Sequence, residues 1–287
     1  MPGAPFLPLT RGSAPKIAEL AGILADVRAG SLGGVLVDGF VPPALLGDLN
    51  RRLDTLAAQF PQVRLPGYDD LAAPPFLYGH SIVGASPDLV DYRAAVGPTA
   101  TALNSLFDGI FPSAGFEEHF AQTLSLLAGT PAGRAVGAAG HPYAPATLRE
   151  LPPGHQIALH IGNAFLCMPQ AADLAATVDV GAQLSWFMPL QPADEGGDLI
   201  VYDLRWDAVS EHYARSTGSV RQQPAINHQL VELLPSTIIR PPPGALLVFD
   251  GGRFFHRVRP VGGATARRTL GGFVAWSRTG PGVRYWS

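Results

Sequence analysis

The sequence Leu159-His160-Ile161-Gly162-Asn163 stands at the end of an alternating segment over 156–161. Residues two apart in an extended strand point to the same face, so His160 and Gly162 look into one space. A histidine followed two residues later by a carboxylate, and completed by a distant histidine, is the facial triad that holds non-haem iron. Here the distant histidine is His256 and the carboxylate position is glycine. The pattern predicts a two-histidine iron site with one coordination position left for a halide.

Alternating apolar residues dominate the chain from Ala146 onward and predict a β-rich half. Turn signals such as Pro-Pro-Gly, Glu-Gly-Gly and Val-Gly-Gly bound the segments. Eight short strands after a helical half predict an α+β fold, a double-stranded β-helix (cupin-like jelly roll) with the helices packed on its outer face. The predicted strands are 147–151, 156–161, 183–190, 198–204, 237–240, 245–249, 256–258 and 269–277.

The first half of the chain has helical periodicity, which predicts helices at 17–28, 43–56, 89–107 and 116–127. A strand is expected at 35–37, a loop at 64–79 and irregular structure at 129–146. We expect one domain over 1–287, in which 1–146 is mainly helical support and 147–287 is the jelly-roll core. A polar insertion at 207–233 interrupts the strands and is expected to be a lid over the site.

Composition argues against several classes of function. The net charge of −3 gives no electrostatic reason to expect binding to nucleic acid or to an acidic membrane. No apolar run is long enough to span a bilayer, and residues 1–10 lack the pattern of a signal peptide. The single cysteine, Cys167, excludes an intrachain disulfide and suits a reducing compartment. We therefore expect a cytoplasmic protein.

The two histidines are stronger evidence together than apart, because a lone histidine in an apolar strand is more often a hydrogen-bonded core residue. Both lie on predicted strands of one barrel, and imidazole nitrogen is a good ligand for Fe(II). Two histidines leave positions for oxygen, for chloride and for a 2-oxo acid bound through its keto oxygen and carboxylate. A carboxylate at position 162 would exclude chloride by volume and by charge, whereas glycine admits it.

Three further side chains fit such a site. Arg267 and Thr269 alternate onto one face of the last long strand, and a guanidinium binds a carboxylate with two parallel hydrogen bonds. This suits the distal carboxylate of 2-oxoglutarate, with Arg268 as the alternative if the register shifts by one residue. Ser185 is expected to face inward and to orient the substrate or the oxygen on iron. The alternative for Ser185 is a strand serine that hydrogen-bonds the backbone.

Together these stretches resemble the freestanding non-haem iron halogenases of hapalindole- and welwitindolinone-type alkaloid pathways, from about residue 33 to the end. The resemblance implies a jelly roll that uses Fe(II), 2-oxoglutarate, oxygen and chloride. It implies that His160 and His256 bind iron, that Gly162 opens the halide site and that Arg267 holds 2-oxoglutarate. The matching stretches are Tyr78-Gly79-His80-Ser81-Ile82-Val83-Gly84, Ser86-Pro87-Asp88-Leu89, His160-Ile161-Gly162-Asn163-Ala164-Phe165-Leu166, Gln183-Leu184-Ser185-Trp186-Phe187, Gly251-Gly252-Arg253-Phe254-Phe255-His256-Arg257-Val258, Arg267-Arg268-Thr269-Leu270-Gly271-Gly272-Phe273 and Tyr285-Trp286-Ser287.

The resemblance also implies a free small-molecule substrate and no carrier protein. A related freestanding branch chlorinates a deoxyadenosine nucleotide, so we expect first such a nucleotide (chlorinated at the 2′ position, as for dAMP) and, as the alternative, an alkaloid scaffold. Substrate position is expected to depend on Ser81, Ile82, Val83 and Ile161, and we expect a monomer or weak dimer. A phosphate would require arginines near the mouth. The available ones are Arg64, Arg134, Arg149, Arg205, Arg253, Arg257 and Arg259.

Two other interpretations remain open at this point. A 2-oxoglutarate-dependent hydroxylase would need a third protein ligand, such as Asp203 or Asp250, or a water in the open position. A jelly-roll binding protein without iron chemistry would have no need of Arg267. For the halogenase, a Gly162→Asp substitution should supply a third ligand, remove the halide position and abolish chlorination.

Overall fold

Two β-sheets face each other across a shared apolar core in the computed structural model, which describes residues 6–56, 62–64, 76–111, 115–208 and 228–287. The larger sheet runs β1-β2-β12-β8-β15-β6-β4-β3, and β16 pairs with both β15 and β5. The smaller sheet runs β11-β10-β13-β7, and β9 pairs with β14. The strands are β1 Leu9–Ser13, β2 Gly34–Asp38, β3 Gln62–Arg64, β4 Phe76–Tyr78, β5 Ala132–Arg134, β6 Thr147–Leu151, β7 Ile157–His160, β8 Leu184–Gln191, β9 Glu195–Gly196, β10 Leu199–Arg205, β11 Ser236–Ile239, β12 Leu246–Phe249, β13 Phe254–Val258, β14 Val261–Gly262, β15 Arg267–Trp276 and β16 Val283–Trp286.

Alternation along the strands builds the core between the sheets. Phe187 and Phe249 of the larger sheet meet edge to face, with ring centroids 6.3 Å apart. They share a buried cluster with Leu199 and Val201 of the smaller sheet. The predicted jelly-roll fold is confirmed.

The helical half packs on the outer face of the larger sheet, as the sequence predicts. Phe120 lies against Trp186 of β8 with centroids 4.2 Å apart, and Leu49, Leu53 and Met188 belong to the same cluster. The helices are α1 Leu24–Ala29, α2 Leu46–Leu56, α3 Val90–Leu106, α4 Phe116–Ala128 and α5 Ala172–Ala175, with a further helical turn at His228–Val231. The 3₁₀ segments are Ala14–Leu20, Pro43–Leu45, Ile82–Gly84, Gly162–Cys167, Pro169–Ala171, Val180–Ala182 and Trp206–Ala208.

Three sequence predictions about local structure need correction. The helix expected at 17–28 is divided into a 3₁₀ segment and α1, because Gly22 between them adopts φ 77°. The loop expected at 64–79 includes β4, which pairs with β6. The irregular region at 129–146 contains β5, which pairs in parallel with β16. These strands are short and carry no alternation signal of their own.

Most of the insertion at 207–233 lies outside the described residues, so its role as a lid stays a prediction. Its described flanks are the turn at Trp206–Ala208 and the helical turn at His228–Val231. None of the helices within the described ranges has the length and apolar character needed to cross a membrane.

Candidate active site

His160 and His256 stand directly opposite each other on neighbouring antiparallel strands. His160 ends β7, His256 lies within β13, and the register of the two strands makes them partners. Their ring centroids are 4.1 Å apart, and Phe249 packs edge-on against His256 at 5.2 Å. The smaller sheet therefore brings together the two imidazoles that the sequence motif singles out.

Each imidazole is oriented by the carbonyl two residues earlier on its own strand. Nδ1 of His160 donates to the Ala158 carbonyl at 2.8 Å, and Nδ1 of His256 donates to the Phe254 carbonyl at 3.0 Å. A carbonyl oxygen can only accept, so Nδ1 carries the proton and Nε2 keeps a lone pair for a metal.

The electrostatic setting keeps both rings neutral. Burial lowers the pKa of His160 to about 4. Burial, and then the neighbouring His160, lower the pKa of His256 well below its ordinary value. Neutral imidazole is the form that binds a metal ion, so the pair fits the prediction of two iron ligands.

No third protein ligand accompanies the two histidines in the described part of the chain. Within it, no cluster of three or more His, Cys, Asp or Glu side chains could hold a metal ion. The carboxylate of Asp250 is bound by Arg253, whose Nε donates to Oδ2 at 2.8 Å. Asp203 is solvent-exposed near the end of β10. Neither carboxylate proposed for a hydroxylase is therefore placed as a ligand.

Gly162 follows β7 directly and opens the 3₁₀ segment Gly162–Cys167. Its backbone N–H donates to the Gly251 carbonyl at 2.8 Å, and the N–H of Asn163 donates to the Gly252 carbonyl at 3.0 Å. A Cβ at position 162 would lie 2.9 Å from the Gly251 oxygen and 3.1 Å from the Gly252 Cα. These contacts are with backbone, so the local packing demands glycine in addition to any demand made by a halide.

Ser185 lies on β8, and its side chain is next to the turn at Gly251. It is 8% exposed and packs against Gly251. Its hydroxyl makes no hydrogen bond to any described residue. The alternative of a strand serine bonded to the backbone is therefore not observed, and the hydroxyl is available to a ligand.

Arg267 and Arg268 point to opposite sides of β15. Arg267 is 7% exposed, lies over the Phe187 ring at 5.5 Å and donates to Thr269 Oγ1 at 3.4 Å. Arg268 instead pairs on the other face with Glu150 at 2.8 Å and with Asp54 at 2.7 Å. Arg268 as a cofactor-binding residue stays a prediction, and the packing does not favour it, because two carboxylates bind its guanidinium away from Arg267 and Thr269.

Arg149, which the sequence offers only as one of seven arginines for a phosphate, lies on the same face of the sheet as Arg267. The pairing of β6 with β15 puts Arg149 opposite Thr269, on the same face as Arg267. Burial lowers the pKa of Arg149 to about 10, and burial and Arg149 together lower that of Arg267 to about 10. Arg149 has no hydrogen bond or ion pair with a described residue. A partly buried cation without a counter-charge suits an anionic ligand.

The other arginines considered for a phosphate are mostly engaged. Arg149 is the unpaired one among the six whose side chains are described, and the side chain of Arg64 lies outside the description. The remaining pairs are Arg134–Glu117 at 3.5 Å, Arg205–Asp207 at 3.4 Å, Arg253–Asp250 at 2.6 Å, Arg257–Glu232 at 3.0 Å and Arg259–Asp198 at 3.7 Å.

The four predicted substrate residues occupy two separate places. Ser81 begins the turn at Ile82–Gly84, where its hydroxyl accepts from the Val83 N–H at 3.4 Å. Ile82 is fully buried in an apolar cluster, whereas Val83 is partly exposed. Ile161 is 4% exposed and belongs to a cluster with Phe255. Substrate contact by these residues stays a prediction, and the packing does not favour it for Ile82 and Ile161.

The jelly roll, with two opposed histidines and an inward arginine, defines the class as the 2-oxoglutarate–Fe(II) oxygenase fold. It is similar to an N-substituted L-amino acid dioxygenase from Burkholderia ambifaria AMMD, with 18% identity, TM-score 0.56 and coverage of 94% of this chain and 91% of that chain. It is also similar to the epimerase SnoN in complex with Fe³⁺, alpha ketoglutarate and nogalamycin RO, with 11% identity, TM-score 0.51 and coverage of 94% and 87%. At these identities the likeness shows the fold.

The sequence profile of the carrier-protein-independent halogenase WelO5 matches residues 9–287. The chain therefore belongs to this family of freestanding, non-haem iron and 2-oxoglutarate-dependent halogenases, as the resemblance of its motifs predicts. A family that works without a carrier protein acts on free small molecules. None of the curated proteins compared with the chain matches it.

Proposed function

We propose that this protein is an Fe(II)- and 2-oxoglutarate-dependent halogenase that chlorinates an unactivated aliphatic carbon of a free small molecule in natural-product biosynthesis. The observation that carries the proposal is that His160 and His256 stand directly opposite each other. Two residues after His160, Gly162 occupies the position from which a third ligand would come. Membership in the carrier-protein-independent halogenase family supports the same assignment. We also propose that the protein works in the cytoplasm, because its single cysteine suits a reducing compartment. We propose further that it is a monomer or weak dimer.

The residues present fit an Fe(II) ion. His160 and His256 each keep Nδ1 on a backbone carbonyl and leave Nε2 free, and burial keeps both rings neutral. With 2-oxoglutarate, oxygen and chloride bound, such a centre supplies hydrogen abstraction from carbon and chlorine transfer, together with release of succinate and CO₂. The chain's own part is to bind, to orient and to exclude water.

Arg267 and Thr269 would hold the distal carboxylate of 2-oxoglutarate. Arg267 can bind it with two parallel hydrogen bonds, and Thr269 adds a hydroxyl donor on the same face. Arg149 brings a second positive charge to this face. Two unpaired cations suit a ligand with two carboxylates, and the apolar wall of Phe187 and Phe249 limits the access of water.

The Ser185 hydroxyl would orient the substrate or the oxygen bound to iron. Its hydroxyl is free, and the residue packs against Gly251, whose carbonyl accepts the Gly162 N–H. Chlorination requires the substrate carbon to be nearer to the halide than to a competing oxygen, so a positioning group at this place affects the product as well as the rate.

The substrate is a deoxyadenosine nucleotide or an alkaloid-like scaffold. A nucleotide phosphate would need arginines at the site, but five of the six candidate arginines whose side chains are described are paired with carboxylates. The sixth, Arg149, faces the same side as Arg267. The two substrate classes therefore stand as equal candidates, and both belong in one screen.

The test is anaerobic reconstitution with Fe(II), 2-oxoglutarate and chloride, followed by exposure to oxygen with deoxynucleotides and indole alkaloids. A product with the chlorine isotope pattern in mass spectrometry supports the proposal and identifies the substrate class. A product heavier by one oxygen at saturating chloride would instead assign a hydroxylase, the alternative in which water fills the open position. Absence of Fe(II) binding would favour the non-enzymatic binding protein.

A further inference from the structure

Gln183 has a buried carboxamide that nothing in the described structure satisfies. The residue stands immediately before β8 and is 0% exposed, and neither its Nε2 nor its Oε1 has a hydrogen-bond partner. Burying an amide without partners is costly, and such groups in native proteins commonly mark a missing water, ion or ligand. We therefore expect the carboxamide of Gln183 to contact a bound water, ion or ligand.

The amide nitrogen of Gln183 lies close to Gly162. Nε2 of Gln183 lies 3.0 Å from the point that a Cβ at position 162 would occupy. On the other sides of that point are the Gly251 carbonyl at 2.9 Å and the Gly252 Cα at 3.1 Å. A third protein ligand would have to grow from this point, so the amide borders the space that such a ligand would use.

The setting around Gln183 is fixed by neighbouring contacts. Its backbone oxygen and its Cγ close in on Gly252, where a side chain could not fit beside them. Asn163 packs at the same place, with Nδ2 donating to the Gly181 carbonyl at 3.2 Å and Oδ1 without a partner. The carboxamide of Gln183 is thus confined, with its nitrogen on the side of Gly162.

We propose that the Gln183 carboxamide is the hydrogen-bond donor that holds the halide beside Gly162. The inference rests on the proposed function. It means that Gln183 helps to select a halide for the iron coordination position that has no protein ligand. A halide has no proton to donate, so it needs N–H or O–H donors, and the amide supplies two N–H groups. A neutral donor also holds chloride without the added attraction of a full positive charge, which suits an ion that must leave in the reaction.

The test compares Gln183→Leu and Gln183→Glu with the wild-type enzyme by titrating chloride into the anaerobic Fe(II)–2-oxoglutarate complex and following its charge-transfer absorption. Loss of a hydrogen bond to a charged group predicts chloride binding at least about tenfold weaker in Gln183→Leu. Gln183→Glu is expected to bind chloride more weakly still, because its carboxylate repels the anion. The affinity for 2-oxoglutarate should stay within about twofold, which a general collapse of the site would not allow.

Gln170→Leu is the matched control, since Gln170 is also a buried glutamine and contacts Met168 rather than the Gly162 region. Its chloride affinity should equal that of the wild type. A crystal of the wild-type holoenzyme with bromide gives a second measurement that needs no variant. Anomalous density for bromide in hydrogen-bond contact with the Gln183 amide would support the inference.

Equal chloride affinity in folded Gln183→Leu and wild type would overturn the inference and leave the amide as a partner of buried water. Bromide that contacts only Gly162 and apolar side chains would overturn it as well. Failure of the proposed function looks different, because wild-type enzyme would then bind no chloride in the presence of Fe(II) and 2-oxoglutarate, and both assignments would fall together.

Discussion

Arg149 and Arg267 bring two positive charges to one face of the β6–β15 pair, and neither forms an ion pair with a described carboxylate. Burial is the main cause of the lowered pKa values of Arg267 and of both histidines. The charge of Arg149 lowers each of these pKa values further. An arrangement that is unfavourable in the empty protein becomes favourable when a dianion binds. We therefore infer that Arg149 and Arg267 serve to bind a ligand and do not stabilise the ligand-free protein.

Replacing Arg149 with methionine should therefore stabilise the ligand-free protein and weaken 2-oxoglutarate binding. Removing a poorly compensated cation should raise the free energy of unfolding by about 1–2 kcal/mol, or the melting temperature by roughly 2–4 °C per kcal/mol. The affinity for 2-oxoglutarate should fall at least about tenfold. Thermal unfolding with and without Fe(II) and 2-oxoglutarate checks both effects. A less stable variant with unchanged affinity would show that Arg149 is structural.

The adjacent residues Arg267 and Arg268 offer a matched pair of substitutions. Arg267→Gln should raise the KM for 2-oxoglutarate by at least about tenfold, because the bidentate partner of the distal carboxylate is lost. Arg268→Gln should leave that KM unchanged and lower stability by about 1 kcal/mol, since it breaks the pairs with Glu150 and Asp54. Steady-state kinetics and denaturant unfolding measure the two quantities. The reverse assignment would mean that the register of β15 is off by one residue.

His256→Ala should abolish Fe(II) binding, with an affinity loss of at least about 100-fold, because changes in the outer contacts of metal ligands alone cost up to that much. His119→Leu is the control, since His119 stacks on Phe111 at 4.1 Å in the helical half and touches neither histidine of the pair. Anaerobic Fe(II) titration measures the effect. Retention of Fe(II) by His256→Ala would remove this residue from the site.

Gly162 should tolerate neither alanine nor aspartate. Gly162→Ala is expected to lower the free energy of unfolding by about 1–3 kcal/mol, because its Cβ meets the Gly251 carbonyl and the Gly252 Cα. Gly162→Asp should in addition lose chlorination, as its carboxylate takes the halide's place. Gly47→Ala in α2 is the control, since its Cβ meets no atom within 4 Å, and stability should be unchanged or slightly raised. Full-rate chlorination by Gly162→Asp would contradict the halide assignment.

The strands that build the barrel could be predicted because each is long enough for alternation to show. The segment 147–151 coincides with β6, and the other seven predicted strands lie within a few residues of their observed bounds. The strands missed, such as β4 and β5, have three residues each and form only because a longer neighbour pairs with them. The helix expected at 17–28 failed for a local reason, since the left-handed Gly22 interrupts a good apolar period.

The residues of the site also differ in whether the sequence alone could identify them. His160, His256 and Arg267 carry recognisable spacing, and alternation alone gave the correct opposite directions of Arg267 and Arg268. Arg149 could not be assigned from sequence because its importance depends on the register between β6 and β15. Gln183 was visible only as part of a strand, since the absence of hydrogen-bond partners is a property of the packed structure.

X-ray absorption at the iron edge would show whether two histidines hold iron and leave a coordination position for a halide beside Gly162. The measurement uses the anaerobic enzyme with 2-oxoglutarate, in chloride and then in bromide. We expect two imidazole ligands and a halogen scatterer bound to iron that becomes heavier when bromide replaces chloride. A third protein carboxylate, or a shell of light atoms that does not change between the two salts, would contradict this expectation.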